Sequence, residues 1–144
     1  MARVIAVNIS EKKGVSKRPV EVGEFIENHG LKGDAHAGNW HRQVSLLGRE
    51  SIDKVEALGI KGLCTGKFAE NITTEGIELY SLPVGTLFEI NGVLMEVTQI
   101  GKECHQKCAI FYKVGDCVMP KEGIFTKVLK GGTIRSGDEI KVLV

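Results

Sequence analysis

Three of the four cysteines, Cys104, Cys108 and Cys117, fall in one short segment, GKECHQKCAIFYKVGDC, which also holds His105. Thiolates bind soft metals, carry or exchange sulfur, and form disulfides, and each role needs sulfurs close to one another or to positive charge. Lys102, His105 and Lys107 flank Cys104 and Cys108, and such charge raises the thiolate fraction near neutral pH, so a reactive thiol is expected here. Cys104, His105, Cys108 and Cys117 also make four possible zinc ligands. Against zinc, there is no Cys-x-x-Cys pair, and adjacent Cys104 and His105 are poorly placed to face one ion. Cys64, alone in IKGLCTGKF, reads as a small buried hydrophobe.

A second group lies in GLKGDAHAGNWHRQVSLL, where Asp34, His36, Trp40, His41 and Arg42 stand among Gly30, Gly33 and Gly38. Glycines permit close backbone approach to a ligand, and Lys32, His41 and Arg42 suit an anion such as phosphate. The alternative is a loop whose Asp34 and His36 bond the backbone to hold its shape. In GKFAENITTEGIEL, Glu70 and Asn71 read first as residues that satisfy turn backbone.

The elements that must position these groups are mostly strands. Arg3 to Ile9 alternates and is β-branched, a first strand. Val22, Phe25 and Ile26 recur at helical spacing before Gly30 and suggest a short helix or irregular turn, while Gln43 to Leu47 is a short apolar run. Ile52, Val55 and Leu58, followed by Gly59, predict a helix. Leu87 to Ile90 and Val93 to Ile100, joined at Asn91 and Gly92, predict an antiparallel hairpin with a type I′ turn. IRSGDEIKVLV echoes LPVGTLFEI, which suits a barrel that returns to the same edge. Eighteen glycines and three prolines in 144 residues indicate many tight turns. The chain reads as one domain, 1–144, mostly β, a closed or nearly closed barrel with one or two short helices.

Composition limits the function classes. Hydrophobic residues make up 42%, charged residues 26%, and the net charge is +1. No strong global field is left to favour non-specific nucleic-acid binding. No apolar run approaches the ~18 residues needed to span a bilayer and no leader pattern opens the chain, so a cytoplasmic protein is expected, with thiols rather than permanent disulfides.

The GLKGDAHAG loop running into RQVSLL, then FAENITTEGI, the cysteine region, and finally EGIFTKVLKGGTIRSGDEI together resemble the MOSC domain, the module at the C-terminus of molybdenum cofactor sulfurases that also occurs as small bacterial proteins. The resemblance spans nearly the whole chain. It implies a β-barrel that binds molybdenum cofactor (molybdopterin with its metal), and one cysteine that takes up sulfur as a persulfide or ligates molybdenum. Cys108 in KCAIF best matches that cysteine, with Cys104 as rival and Cys117 as a resolving or structural thiol. Asp34 and His36 fall on the family's Gly-Asp-x-His loop, and Glu70 and Asn71 on its Glu-Asn motif. Lys32, Arg42 and Arg18 are then candidates for the pterin phosphate. A chain of this length leaves no room for a pyridoxal-phosphate domain, so sulfur would come from a cysteine desulfurase or another donor and pass to a molybdoenzyme or a cofactor-biosynthesis protein. The resemblance also admits a molybdenum-dependent reductase of N-hydroxylated compounds, or a non-enzymatic cofactor carrier.

Overall fold

The structure is a computed structural model that describes residues 2–12, 17–57, 70–101 and 122–143. In chain order the elements are β1 (Arg3–Ile9), β2 (Arg18–Val20), β3 (Val22–Ile26), β4 (Gly30–Leu31), β5 (Val44–Gly48), α1 (Arg49–Glu56), β6 (Ile72–Glu75), a 3-10 turn (Leu79–Ser81), β7 (Leu87–Ile90), β8 (Val93–Ile100), β9 (Ile124–Lys130), β10 (Gly132–Arg135) and β11 (Ile140–Leu143).

Eight strands form one sheet in the order β11-β7-β8-β9-β5-β6-β1-β2, and a second sheet runs β10-β3-β4. Alternation decides which residues face inward: in β8, Val93, Met95 and Val97 are buried while Leu94 and Glu96 are partly exposed. Strand β5, buried along its whole length, runs antiparallel to β9 and parallel to β6, as expected of a strand covered on both faces. Phe25, Leu31 and Ile134 from the small sheet join Val7, Leu46, Phe88 and Met95 from the large one in a shared core.

The Asn91–Gly92 hairpin forms as expected: Ile90 pairs with Val93, and the two turn residues have φ of 48° and 83°. Only one of them is glycine, so Asn91 bears the left-handed strain. Asn91→Ala should therefore lower stability by roughly 1 kcal/mol, read as a shift of the urea midpoint with an unchanged slope. The two echoing segments pair with each other, β11 with β7 from Ile140↔Ile90 to Leu143↔Leu87.

Two expectations change. Val22–Ile26 is a strand rather than a helix or turn, because its inward positions are Gly23 and Phe25. A Cβ at Gly23 would lie 2.7 Å from Val7 Cγ1 and 2.9 Å from Leu31 Cδ1. The glycine is required by close packing, and it erases the alternation that would have announced a strand. The closed barrel is also not a continuous ladder. β11 spends its four residues on β7, and β1 meets only the residues just before and at its start, through the bridge Arg3↔Glu139 and the bonds Val4 N–H to Asp138 O (2.8 Å) and Ile140 N–H to Ala2 O (2.9 Å). Among the described residues neither sheet closes on itself.

The helix expected after residue 51 is α1, which Arg49 and Asp53 brace by an i,i+4 ion pair at 3.0 Å and which turns Ile52 into the core. Leu58 and Gly59 lie outside the described residues. No helix of the described residues is long and apolar enough to cross a membrane.

Candidate functional site

The end of β1 organises both sequence motifs. Asp34 in the glycine-rich loop accepts hydrogen bonds through Oδ1 from Ser10 N–H (3.0 Å) and from Lys17 Nζ (2.8 Å), and through Oδ2 from His36 N–H (3.0 Å). Ala35 N–H returns a bond to Ser10 O at 2.8 Å. The side chains of Asp34 and Lys17 are both 0% exposed, so this is a buried ion pair. Burial works to raise the Asp34 pKa, but the Lys17 ammonium and the backbone N–H groups of Ser10 and His36, all within hydrogen-bond distance, outweigh it and hold the carboxyl well below the usual carboxylate range. Lys17 also donates to Ser10 Oγ at 3.0 Å and lies 3.1 Å from His36 Nδ1.

Two residues further back, Asn8 ties down the Glu-Asn motif. Asn8 N–H bonds Asn71 O (2.6 Å), Asn71 Nδ2 bonds Asn8 O (3.3 Å), and Asn8 Nδ2 donates to Glu70 O (3.2 Å) and Thr73 Oγ1 (3.1 Å). Asn71 Oδ1 accepts from both the N–H and the hydroxyl of Ser45 on β5, at 3.0 and 3.2 Å. Thr73 Oγ1 donates to the buried Glu70 carboxylate at 2.8 Å. Asn71 thus splices β1 to β5 across β6, and its side chain is spent on protein partners, as is that of Asp34.

The far end of the loop reaches another element. His41 Nε2 and Arg42 Nε both lie against Gln99 Oε1 on β8, at 2.9 and 3.1 Å, and Thr98 Oγ1 donates to His41 O. Arg42 also lies over the Phe125 ring of β9, 5.3 Å from its centroid. Gln99 Nε2 donates to Gly101 O at 2.7 Å, and Gly101 N–H bonds Gly123 O at 2.7 Å. The strand hairpin β8–β9 is therefore clamped where the cysteine-bearing segment leaves and returns. Cys64, Cys104, Cys108 and Cys117 themselves lie outside the described residues. Lys32 is exposed, its backbone N–H bonded to Glu24 O. Trp40, 38% exposed, donates its indole N–H to His36 O at 2.8 Å and stands edge-on to His41.

A cleft of about 340 Å³ lies beside the returning end, lined in part by Glu50, Ser51, Lys54, Glu78, Tyr80 and Glu122. Lys54 bonds both carboxylate oxygens of Glu122 at 3.0 Å, and Ser51 donates to Glu122 at 2.6 Å. Glu122 and the Tyr80 hydroxyl hold the Lys54 ammonium above its usual pKa. With three carboxylates to one cation, this cleft is a poor seat for an anion. Among the described residues no group of three or more His, Cys, Asp or Glu is placed to hold a metal ion.

Sequence reasoning missed Lys17, Ser10, Asn8 and Gln99. Lys17 had no local signal, sitting at the end of a charged stretch that reads as a solvated loop. What could have pointed to it is Asp34: a carboxylate on a loop meant to be buried needs a cation.

A β-rich domain with a glycine loop stapled beside the β8–β9 strand pair is the class that these features define. The chain belongs to the MOSC domain family, whose pattern matches residues 33–141. The uncharacterized protein YflK of Bacillus subtilis (strain 168) is 23% identical over an alignment of 140 residues that covers 90% of this chain and 63% of YflK, so the chain spans less than two thirds of that relative. The crystal structure of the YuaD protein from Bacillus subtilis superposes with a TM-score of 0.81 at 19% identity, covering 99% of this chain and 96% of that one. YiiM from Geobacillus stearothermophilus gives 0.74 at 17% identity, covering 100% and 76%. YiiM from Escherichia coli gives 0.68 at 17% identity, covering 99% and 70%. At these identities the structural likeness establishes the fold.

Proposed function

We propose that this domain binds molybdenum cofactor at the glycine-rich loop and handles sulfur through Cys108, with Cys104 as the second thiol. The observation that supports this most is the pinning of His41 and Arg42 to Gln99, two residues before Gly101, where the chain bearing both cysteines departs. An anion held at Arg42 would thus sit near the root of the thiol segment. The donor set fits the cofactor's phosphate. Arg42 uses only Nε among the described residues, which leaves its terminal nitrogens for a bidentate contact, and the Lys32 ammonium forms no ion pair among them. Asp34 and Asn71 act in this reading by holding the loop and strands in place. When bound, the cofactor supplies a molybdenum centre that takes a sulfur ligand.

Sulfur uptake needs no external redox agent. A Cys108 thiolate attacks the outer sulfur of a donor persulfide, a new S–S bond forms on Cys108, and the donor's S–S bond breaks to release its thiolate. The donor would be a cysteine desulfurase, and the recipient a molybdoenzyme or a cofactor-biosynthesis protein.

The test is to incubate the protein with a cysteine desulfurase and cysteine and to map persulfide by mass spectrometry. One added sulfur on Cys108, absent in Cys108→Ala and retained in Cys104→Ala, is expected. Tightly bound molybdenum without any persulfide would favour a reductase or a carrier, and stoichiometric zinc lost on either mutation would sink the reading. Arg42→Ala should weaken retention of molybdenum cofactor by roughly tenfold or more, the worth of a charge-assisted hydrogen bond.

A further inference from the structure

We propose that Lys17 is a positioning residue that fixes His36 as a neutral imidazole with its proton on Nε2. Through that nitrogen the ring can then donate a hydrogen bond to a ligand's acceptor atom, while its Nδ1 lone pair is taken up by Lys17. The argument is a count of protons and lone pairs. An ammonium has three N–H donors and no acceptor. Lys17 Nζ has three neighbours in reach: Asp34 Oδ1 at 2.8 Å, Ser10 Oγ at 3.0 Å and His36 Nδ1 at 3.1 Å. The Ser10 hydroxyl proton is already given to Lys12 O at 3.0 Å, so its oxygen is left to accept. Asp34, ionised and buried against it, keeps Lys17 in its charged form.

His36 Nδ1 must then offer its lone pair, and the ring proton resides on Nε2. The rival partner for Nδ1 is Asp34 Oδ2, but it lies 3.7 Å away, beyond hydrogen-bond range, and already accepts the His36 backbone N–H at 3.0 Å. Nε2 has no hydrogen-bond partner among the described residues, and the side chain is 28% exposed, so this donor is open to a ligand of the loop. The tautomer does not depend on which ligand that is, so its failure and the failure of the cofactor reading are separable.

Long-range 1H–15N correlation on full-length protein labelled at histidine reads the tautomer directly. At neutral pH the His36 Nδ1 signal should be that of an unprotonated ring nitrogen and the Nε2 signal that of an N–H. In the Lys17→Met/Asp34→Asn double variant, which removes both buried charges together, Nδ1 loses its donor and the His36 signals should move toward a mixture of tautomers. A wild-type spectrum with the proton on Nδ1, or on both nitrogens, overturns the proposal. So does a double variant whose His36 spectrum matches wild type.

Discussion

Asp34→Asn should destabilise the protein by roughly 3–5 kcal/mol near neutral pH, a large share of the roughly 5–15 kcal/mol that holds a typical domain folded. The substitution is isosteric, so shape is not the cause. It leaves the Lys17 ammonium buried without a counter-charge, and it turns an amide N–H₂ toward the His36 N–H, or toward Ser10 N–H and Lys17, where the carboxylate accepted from all three. For a chain of this size the melting temperature should fall by roughly 10–15 °C. The Lys17→Met/Asp34→Asn double variant should recover much of that loss, because a buried pair replaced as a pair costs far less than one partner orphaned. An Asp34→Asn protein within about 1 kcal/mol of wild type would contradict the buried ion pair. The pH dependence has a fixed sign. A carboxyl whose folded pKa lies below its unfolded value of about 3.9 contributes stability that is present above that value and lost as pH falls through the folded one. The gap between wild type and Asp34→Asn in urea unfolding should therefore be full at pH 6 to 7 and narrow progressively below about pH 4.

Local rules reached the elements whose signal lies within their own residues. Arg3–Ile9 and the Asn91–Gly92 hairpin were legible because alternation and turn chemistry sit in the same few residues. β3 was not, because the residue that should have shown its inward face is Gly23, placed there by Val7 and Leu31. The site divides in the same way. The glycine-rich loop announced itself by composition, and the two readings of Asp34 and His36, ligand contact or loop support, could not be separated without Lys17. Its ammonium comes from the far side of β1's end, and nothing in the intervening chain marks it for burial. Asn71 was readable as a residue that satisfies backbone, but not that the backbone belongs to Asn8 and Ser45, 63 and 26 residues away. Long-range pairing of this kind is set by sheet order, and a crossover such as β5 beside both β9 and β6 has no local signature.

Gly30→Ala should be the other costly change, at roughly 3–5 kcal/mol, and its cause separates two uses of glycine in the loop. The sequence suggests that these glycines let a ligand approach the backbone. At Gly30 what approaches is the protein: φ is +115°, and a Cβ would lie 2.6 Å from the carbonyl oxygen of Gln43 and 3.2 Å from its carbonyl carbon. Gln43 is poorly able to give way. Its Oε1 accepts Val128 N–H at 2.9 Å and its Nε2 donates to Asn28 Oδ1 at 3.2 Å, which fixes it to β9 and to the turn before Gly30. Gly85 provides the comparison, since its φ is +96° and nothing lies within 4 Å of the Cβ position. Gly85→Ala should thus incur only the backbone term, roughly 1–2 kcal/mol, and the difference between the two variants measures the close contact. Equal midpoint shifts in urea would show that Gln43 yields and that the loop's entry is not clamped. A larger loss at Gly30 would mean that the backbone contact with Gln43 sets where the loop begins, and hence where Asp34, His36 and Arg42 can stand.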